Sequence, residues 1–309
     1  MKKLLLILLL PLIFLLVSCG GGEGDLQPIE PINTTYINHP DSILTYIPDT
    51  KFEENLINLG LDDIFDDFVL TENIKYLEEI DLNGLGGIQD LTGIENFVAL
   101  KKLHCQYNQL TSLDLSNNTS LTFLNCYGNQ ITSLDLSNNT DLALLNCNNN
   151  LLTSLDLSNN SELFYLACIG NKLTSLDVSN NTALTFLTCR FTELTSLDVS
   201  NNTALTELQC GMNQITSLDV SNNTALTRLG CEANQITSLD VSNNTALTRV
   251  NCQYNQLTNL NLRNGNNTNM SPSATSNNQL YCIEVDNAAW STSNWTDIDL
   301  QHYFSEDCP

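Results

Sequence analysis

The stretch LTFLNCYGNQITSLDLSNNTD, residues 121–141, is one of eight consecutive copies of a 21-residue unit that together fill residues 100–267. Each copy repeats the same spacing of leucine, cysteine and polar residues. A fixed period of about 20 to 50 residues is typical of solenoids, in which every repeat is one supersecondary unit stacked on its neighbours. Such a fold presents long open surfaces in place of an enclosed pocket, so we expect a binding protein and not an enzyme.

Each copy has two halves that begin with the same spacing of apolar residues. In the copy quoted above, Leu121 and Leu124 open the first half, and Ile131 and Leu134 open the second. Short parallel strands, stacked coil on coil, would bury these positions and expose the residues between them. We therefore predict a mostly β solenoid with two short parallel sheets back to back.

Atypical segments flank the repeats and are expected to cover the two open ends of the core. Residues 46–99 contain a divergent repeat without cysteine and a short helix, predicted from the capping pattern Thr50-Lys51-Phe52-Glu53 and ended by Gly60. Residues 268–309 lose the period and supply bulky side chains for a C-terminal cap. These are Trp290, Trp295 and Tyr303.

The N-terminus has the features of an export signal. Lys2 and Lys3 precede an apolar run over residues 4–17 that is too short to span a bilayer. Residues 1–18 are therefore predicted to be a signal peptide.

The end of that run resembles the bacterial lipobox. Its residues are Leu16-Val17-Ser18-Cys19, and the resemblance implies lipidation of Cys19. An ordinary signal peptide with a chance cysteine is the alternative. The glycine- and proline-containing residues 19–45 are then expected to form a flexible linker. We expect a protein held at the outer membrane by its lipid, with exposure on the cell surface left open.

The charge of the chain limits its partners. Eleven basic and 35 acidic residues give a net charge of −24. Such a surface repels phosphate backbones and anionic headgroups, so we expect no nucleic acid partner and no membrane contact except through the lipid. The three histidines are scattered along the sequence and suggest no catalytic group.

The cysteines divide into periodic and non-periodic ones. The periodic cysteines lie two strand positions after an inward leucine, so they should point into the core as a ladder: Cys105, Cys126, Cys147, Cys168, Cys189, Cys210, Cys231 and Cys252. Parallel side chains on coils about 4.8 Å apart have poor disulfide geometry, which favours free thiols that act as small hydrophobes. Pairwise bridges are the alternative. Cys282 and Cys308 lie off the ladder and are candidates for one disulfide that closes the C-terminal end.

Comparison of the eight copies separates a varied face from a constant one. The first half of the unit differs at every outward position, and four consecutive copies carry a large apolar residue before the inward leucine. Clustered aromatic residues are typical of interaction sites. The predicted binding patch consists of Phe123, Tyr127, Leu144, Tyr165, Ile169, Phe186, Arg190 and Phe191. We expect a protein ligand there, although rows of rings also suit glycans or could pack between coils.

The second half hardly changes and carries a column of aspartates: Asp114, Asp135, Asp156, Asp177, Asp198, Asp219 and Asp240. These carboxylates could recruit Ca²⁺ or be satisfied by nearby hydroxyl and backbone N–H groups. We predict no metal site and no cofactor. A column of asparagines is expected to bind turn backbone between coils: Asn108, Asn129, Asn150, Asn171, Asn213, Asn234 and Asn255. Thr192 interrupts this column, which predicts a local irregularity.

The repeat resembles the cysteine-containing 21-residue leucine-rich repeats of bacterial surface proteins, the internalin J-like group. The resemblance covers residues 46–309, from the Ile-Pro-Asp start at Ile47 to the Cys-Ile-Glu-Val-Asp end at Cys282. It implies a protein-binding or adhesive module at the cell surface without catalytic residues. We therefore expect a lipid-anchored protein of the cell envelope that binds protein or adheres through its varied face. A glycan-binding lipoprotein and a structural envelope spacer are the alternatives.

Overall fold

The structure, a computed structural model, describes residues 43–84 and 87–309. The predicted signal peptide, the predicted lipidation site Cys19 and most of the predicted linker lie outside the described residues. The rest forms a β solenoid of short strands with three short α-helices. The strands in chain order are β1 (Leu44–Tyr46), β2 (Phe68–Leu70), β3 (Glu79–Asp81), β4 (Lys102–His104), β5 (Phe123–Asn125), β6 (Leu144–Asn146), β7 (Tyr165–Ala167), β8 (Phe186–Thr188), β9 (Glu207–Gln209), β10 (Arg228–Gly230), β11 (Ser238–Asp240), β12 (Arg249–Asn251), β13 (Asn259–Asn261), β14 (Ser271–Ser273), β15 (Cys282–Glu284) and β16 (Tyr303–Ser305). The helices are α1 (Thr50–Asn58), α2 (Thr71–Ile74) and α3 (Ala288–Asn294), and a 3₁₀ turn spans Ile94–Asn96.

The first half of every copy lies in one parallel sheet of ten strands, in the order β3 to β10, then β12 and β14. Neighbouring strands pair in register, so that Phe123 lies opposite Leu144 and Leu144 lies opposite Tyr165. The constant 21-residue period produces this register, because equal loops return the chain to the same position one coil further on. The predicted varied face is the outward side of this sheet.

The second predicted sheet is confined to the C-terminal coils. Strands β11, β13, β15 and β16 form a parallel sheet of four strands. In earlier coils the backbone next to the corresponding segments is farther apart. Thr132 N lies 3.4 Å from Thr111 O, whereas the equivalent Thr258 N lies 2.8 Å from Thr237 O in the C-terminal coils. The inward leucine is 7% exposed at Leu218, before this sheet begins, and 1% exposed at Leu239 within it. The coils are therefore spaced more widely on the constant side until the C-terminal sheet brings them together.

The core is a continuous column of apolar side chains, one layer for each coil. Leu121, Leu124, Cys126 and Ile131 of one copy are all fully buried. All eight periodic cysteines are buried and free in the structure. Burial raises the pKa of these thiols, to about 12 for Cys126, so they remain protonated and behave as small apolar groups.

The N-terminal cap contains the predicted helix, α1, and Gly60 follows it at φ 72°. The predicted capping box was wrong, because the N-cap is Asp49 and not Thr50, and Glu53 Oε1 accepts from Asp66 N and Asp67 N. One carboxylate oxygen of Asp49 accepts hydrogen bonds from backbone N–H groups in the first turn. The other accepts from Gln89 N at 2.7 Å, which ties the helix to the divergent repeat. A contact between residues this distant in sequence is not visible in a local pattern.

The C-terminal cap confirms the predicted disulfide, since Cys282 and Cys308 are bonded with their Cα atoms 5.9 Å apart. The solenoid continues beyond residue 267, because β14 extends the large sheet and β16 extends the small one. Trp295 covers the end of the core and is 6% exposed. The expected role of Tyr303 was wrong: its side chain is exposed, and the ring of Phe304 packs against Trp295 at 5.5 Å.

Candidate binding face

The varied face is the outward side of the ten-stranded sheet, and its first row holds the first residue of each strand. From β4 to β14 this row reads Lys102, Phe123, Leu144, Tyr165, Phe186, Glu207, Arg228, Arg249 and Ser271. Successive members are paired across neighbouring strands, so they lie about 4.8 Å apart. The row therefore has an apolar part followed by a charged part.

The apolar part of the row is a packed stack of side chains. The rings of Tyr165 and Phe186 are parallel within 3°, with centroids 4.4 Å apart. Phe123 lies against His104, with ring centroids 4.6 Å apart. All four apolar members are half-buried. Packing between coils thus covers part of each side chain and leaves the remainder on the surface.

A second row lies four residues after the first along the chain, just beyond the end of each strand. It contains three residues of the predicted patch, Tyr127, Ile169 and Arg190, all of them half-buried. The hydroxyl of Tyr127 accepts a hydrogen bond from Asn149 Nδ2 at 3.0 Å, which fixes its ring. The structure therefore brings the eight predicted patch residues to one side of the solenoid, where they occupy two rows and an adjoining turn.

Arg190 spans two coils and binds Glu232. Gly211 lies between them in the row, and a Cβ there would come within 2.5 Å of the Glu232 carboxyl carbon. Glycine at this position therefore leaves the space through which the two side chains meet. The Arg190 guanidinium also lies 5.7 Å from the ring of Phe191. Arg190 thus packs against the neighbouring patch residue and leaves only part of its own side chain on the surface.

The turn after each strand contributes an exposed rim that we did not predict as a group. One residue in each turn has a positive φ, which costs about 1 to 2 kcal/mol for residues other than glycine. Two coils use glycine there, but four others carry large exposed side chains: Tyr107, Phe191, Met212 and Tyr254. Only Phe191 was part of the predicted patch. These side chains are costly for the turn and leave apolar surface in solvent, so the fold alone does not account for them.

Phe164 is a second residue that the sequence prediction missed. It precedes Tyr165 and is 45% exposed, so it extends the apolar surface beside the first row. The equivalent residue is lysine, alanine or threonine in the other seven copies. Comparison of the copies at this position would have identified it.

The aspartate column closes turns on the constant face. Asp156 Oδ1 accepts a hydrogen bond of 2.9 Å from the backbone N–H of Ser158, and the same bond recurs from coil to coil. This bond, together with one from the Ser158 hydroxyl, lowers the pKa of Asp156. Among residues 43–84 and 87–309, no three potential metal-ligating side chains are grouped as a metal site.

The asparagine column joins neighbouring coils. Asn150 Nδ2 donates to Cys126 O and Cys147 O, while its Oδ1 accepts from Ile131 N. At the interruption, Thr192 donates only to Cys189 O of its own coil and to Asn213 Oδ1, at 2.9 and 2.7 Å. The turn keeps its shape, but two hydrogen bonds between coils are lost.

A second asparagine column was missed, although its residues recur with the same period. Asn160 is fully buried, and its Nδ2 donates to Leu136 O and Asn139 O at 3.2 and 2.8 Å. Its members are Asn118, Asn139, Asn160, Asn181, Asn202, Asn223 and Asn244. This column holds coils together where backbone hydrogen bonds between them are few.

Comparisons with known proteins agree with this architecture. A sequence model of leucine-rich repeats, in two copies, matches residues 98–138. Internalin J of Listeria monocytogenes serotype 4b (strain F2365) is 47% identical over 53 residues, which are 17% of this chain and 6% of that protein. The solved functional domain of internalin J from Listeria monocytogenes, described as including a cysteine ladder, has a TM-score of 0.59 and 33% identity over 79% of this chain.

The chain is an internalin-like leucine-rich repeat protein with a cysteine ladder. It spans 66% of that solved domain and a much smaller part of full-length internalin J. A more distant relative by fold is the leucine-rich repeat ectodomain of a plant receptor kinase from Arabidopsis thaliana, solved in complex with CASPARIAN STRIP INTEGRITY FACTOR 2. That match has a TM-score of 0.59 and 20% identity, and it covers 74% of this chain and 30% of the ectodomain. No helix in the described part of this internalin-like chain is both long and apolar enough to cross a membrane.

Proposed function

We propose that this chain is an exported binding module that recognises a protein ligand through its varied face. The observation that carries the proposal is the apolar surface of this face, in which half-buried side chains of the first row adjoin exposed rim residues such as Phe191 and Met212. Large apolar side chains at positive φ weaken a turn and expose apolar area, so their presence favours a role in contact with a ligand. Aromatic side chains in such patches contribute much of the binding energy of protein interfaces.

The geometry of the rings favours a protein ligand over a glycan. A sugar ring stacks on the open face of an aromatic ring, whereas Tyr165 and Phe186 cover each other's facing sides at 4.4 Å. Their remaining surface joins that of Leu144 and Phe164 into a mixed aliphatic and aromatic patch. Such a patch suits apolar side chains of a protein.

The test uses a phage-displayed library of random dodecapeptides, selected on the immobilised chain. We expect enriched peptides that contain large apolar residues and lose at least tenfold in affinity for the variant Phe123→Ser, Tyr165→Ser, Phe186→Ser. The control variant removes three exposed apolar side chains outside the varied face: Tyr281→Ser, Leu300→Ser and Tyr303→Ser. Equal binding of the selected peptides to both variants, or enrichment of none, would contradict the proposal.

We further propose that Cys19 is lipidated and tethers the solenoid to the outer membrane. The support is the lipobox-like segment before Cys19 and the predicted linker that follows it. In a bacterial host, the chain should incorporate labelled fatty acid and sediment with membranes, while Cys19→Ala should do neither. Labelling that persists in Cys19→Ala would refute the assignment.

A further inference from the structure

The charged part of the first row places two arginines side by side. Arg228 begins β10 and Arg249 begins β12, and the two residues are directly paired in the parallel sheet. Both side chains are exposed. Like charges at directly opposed strand positions repel each other, so this pair is unfavourable without a neutralising group.

Most basic side chains of the described residues are compensated by carboxylates. Seven lysines and arginines lie in ion pairs with carboxylates. Arg228 is one of them, with its Nη1 3.6 Å from Glu207 Oε2. Within residues 43–84 and 87–309, Arg249 takes part in no ion pair. A chain with 35 acidic residues therefore leaves a guanidinium uncompensated beside a second one.

The two arginines line an open cleft of about 310 Å³ on the varied face. Strands β9, β10, β12 and β14 form its floor, and its polar walls come from the first row and the row beside it. The polar side chains that line it besides the arginines are Glu207, Gln209, Asn251, Ser271 and Ser273. Hydroxyl and amide groups can add hydrogen bonds to a charged ligand held by the guanidinium groups.

Gly230 shapes the floor of this cleft. A Cβ at residue 230 would lie 2.1 Å from Gln209 Oε1, so only glycine allows Gln209 to lie across this position. Gln209 Nε2 in turn donates to Glu207 Oε1 at 3.4 Å. Glycine at 230 thus indirectly supports the carboxylate that pairs with Arg228. Arg249 has no such carboxylate partner among the described residues, so its guanidinium group is available to a ligand.

We propose that Arg228 and Arg249 form a subsite for a carboxylate, supplied by an aspartate or glutamate of a protein ligand. The subsite rests on the proposed function, because it assumes a protein ligand on the varied face. The planar guanidinium group offers paired N–H donors that match the two oxygens of a carboxylate. A bound carboxylate would compensate Arg249 and reduce its repulsion with Arg228.

The spacing of the row specifies the ligand further. Arg228 lies two strands beyond Phe186, which is a distance of about 10 Å. An extended chain covers that distance with about three residues. The ligand segment should therefore place an acidic residue about three positions from an apolar residue bound over Phe186.

The experiment uses the same dodecapeptide library, selected on the chain and on the variant Arg228→Ser, Arg249→Ser. Peptides selected on the unchanged protein should be enriched in aspartate or glutamate near an apolar residue. Replacing that acid by its amide should weaken binding about tenfold to a hundredfold, and this loss should vanish in the double variant. The control variant Lys172→Ser, Arg263→Ser removes the same charge outside the varied face and should retain the full loss.

The outcomes separate the subsite from the proposed function. Peptides that require Phe186 but neither contain acids nor respond to the arginine variant would overturn the subsite alone. Oligogalacturonate, a chain of sugars with carboxylate groups, serves as a second probe. Its binding through the arginines, with no acidic peptide enriched, would overturn the assignment to a protein ligand. A library without any binder would contradict both the subsite and the proposed function. Circular dichroism of each variant verifies that the solenoid is folded.

Discussion

The two sides of the solenoid hold their coils together by different groups. On the varied side, ten strands share a continuous backbone ladder, and the outward side chains take little part in it. On the constant side, backbone bonds between most coils are few, and asparagine side chains supply the hydrogen bonds between coils. The aspartates close turns within each coil. Sequence is therefore constrained where side chains maintain the fold, and it is free where the backbone maintains it.

This contrast also explains why the uniform face and the proposed binding face lie on opposite sides of the solenoid. A surface whose side chains are needed for turns cannot change without loss of stability. A surface whose strands are held by N–H and C=O groups can exchange its outward residues at low cost. The row from Phe123 to Arg249 uses that freedom.

The largest expected effect concerns the C-terminal coils, where the constant side forms a sheet. The disulfide of Cys282 and Cys308 closes a sequence separation of 26 residues next to this sheet. Replacing both cysteines by serine should lower the free energy of unfolding by about 3 kcal/mol, because a disulfide of this loop length restricts the unfolded chain. Hydrogen exchange should show lost protection in β13, β15 and β16. The amides of β6 and β7 are the internal control, and a uniform loss would contradict the comparison.

A matched pair of asparagines tests the two sides directly. Asn160→Ala removes a buried donor to two carbonyls and should destabilise the chain by about 2 kcal/mol, measured by urea unfolding. Asn146→Ala removes an outward side chain of the varied face that accepts one 3.3 Å bond from Asn148 N, and should cost less than about 1 kcal/mol. Similar losses would show that the two sides depend equally on side chains.

The interrupted asparagine column offers a stabilising change. Thr192→Asn should restore hydrogen bonds like those of Asn171, which donates to Cys147 O at 3.0 Å and accepts from Leu152 N at 3.1 Å. We expect a gain of about 1 kcal/mol in the free energy of unfolding. Thr192→Ala, which removes the existing bonds, should lower stability and serves as the opposite control. No gain in Thr192→Asn would mean that the altered coil has adapted its backbone to threonine.

The smallest expected effect is a loss of stability of the fold at acidic pH. Hydrogen bonds from the following serine lower the pKa of aspartates such as Asp156 below the usual 3.8. A carboxyl with a lowered pKa in the folded state stabilises the fold above the unfolded value, and this contribution is lost as the pH falls below about 4. The melting temperature should therefore decrease between pH 5 and pH 3.

Asparagine at the same position provides the control for this acid effect. Asn261 already occupies the column, and its Oδ1 accepts from Arg263 N at 3.0 Å. Asp156→Asn should keep the turn and show a weaker dependence on pH. An unchanged pH profile would mean that other carboxyl groups cause the decrease.

The sequence predicted what depends on its period and missed what depends on contacts between distant residues. In-register strands, buried cysteines and the division into two faces follow from equal spacing. The restriction of the second sheet to the C-terminal coils does not follow from the spacing. The same leucine spacing occurs in coils whose second halves form strands and in coils whose second halves do not. The pair of Arg190 and Glu232 was missed because it crosses two coils over Gly211. The coil after residue 267 was missed because Ala274 occupies the position of the periodic cysteine.

Because the coils are equal, the length of the varied face can change by whole coils. Each added coil lengthens every row by about 4.8 Å and leaves the register of the rest intact. Unequal recombination between near-identical repeats in the gene would therefore move Phe186 and Arg228 apart or together in fixed steps. The number of coils between Phe186 and Arg228 sets the distance between them. Under the proposed function, a change in copy number alone would therefore alter which ligand fits, without substitution of a contact residue.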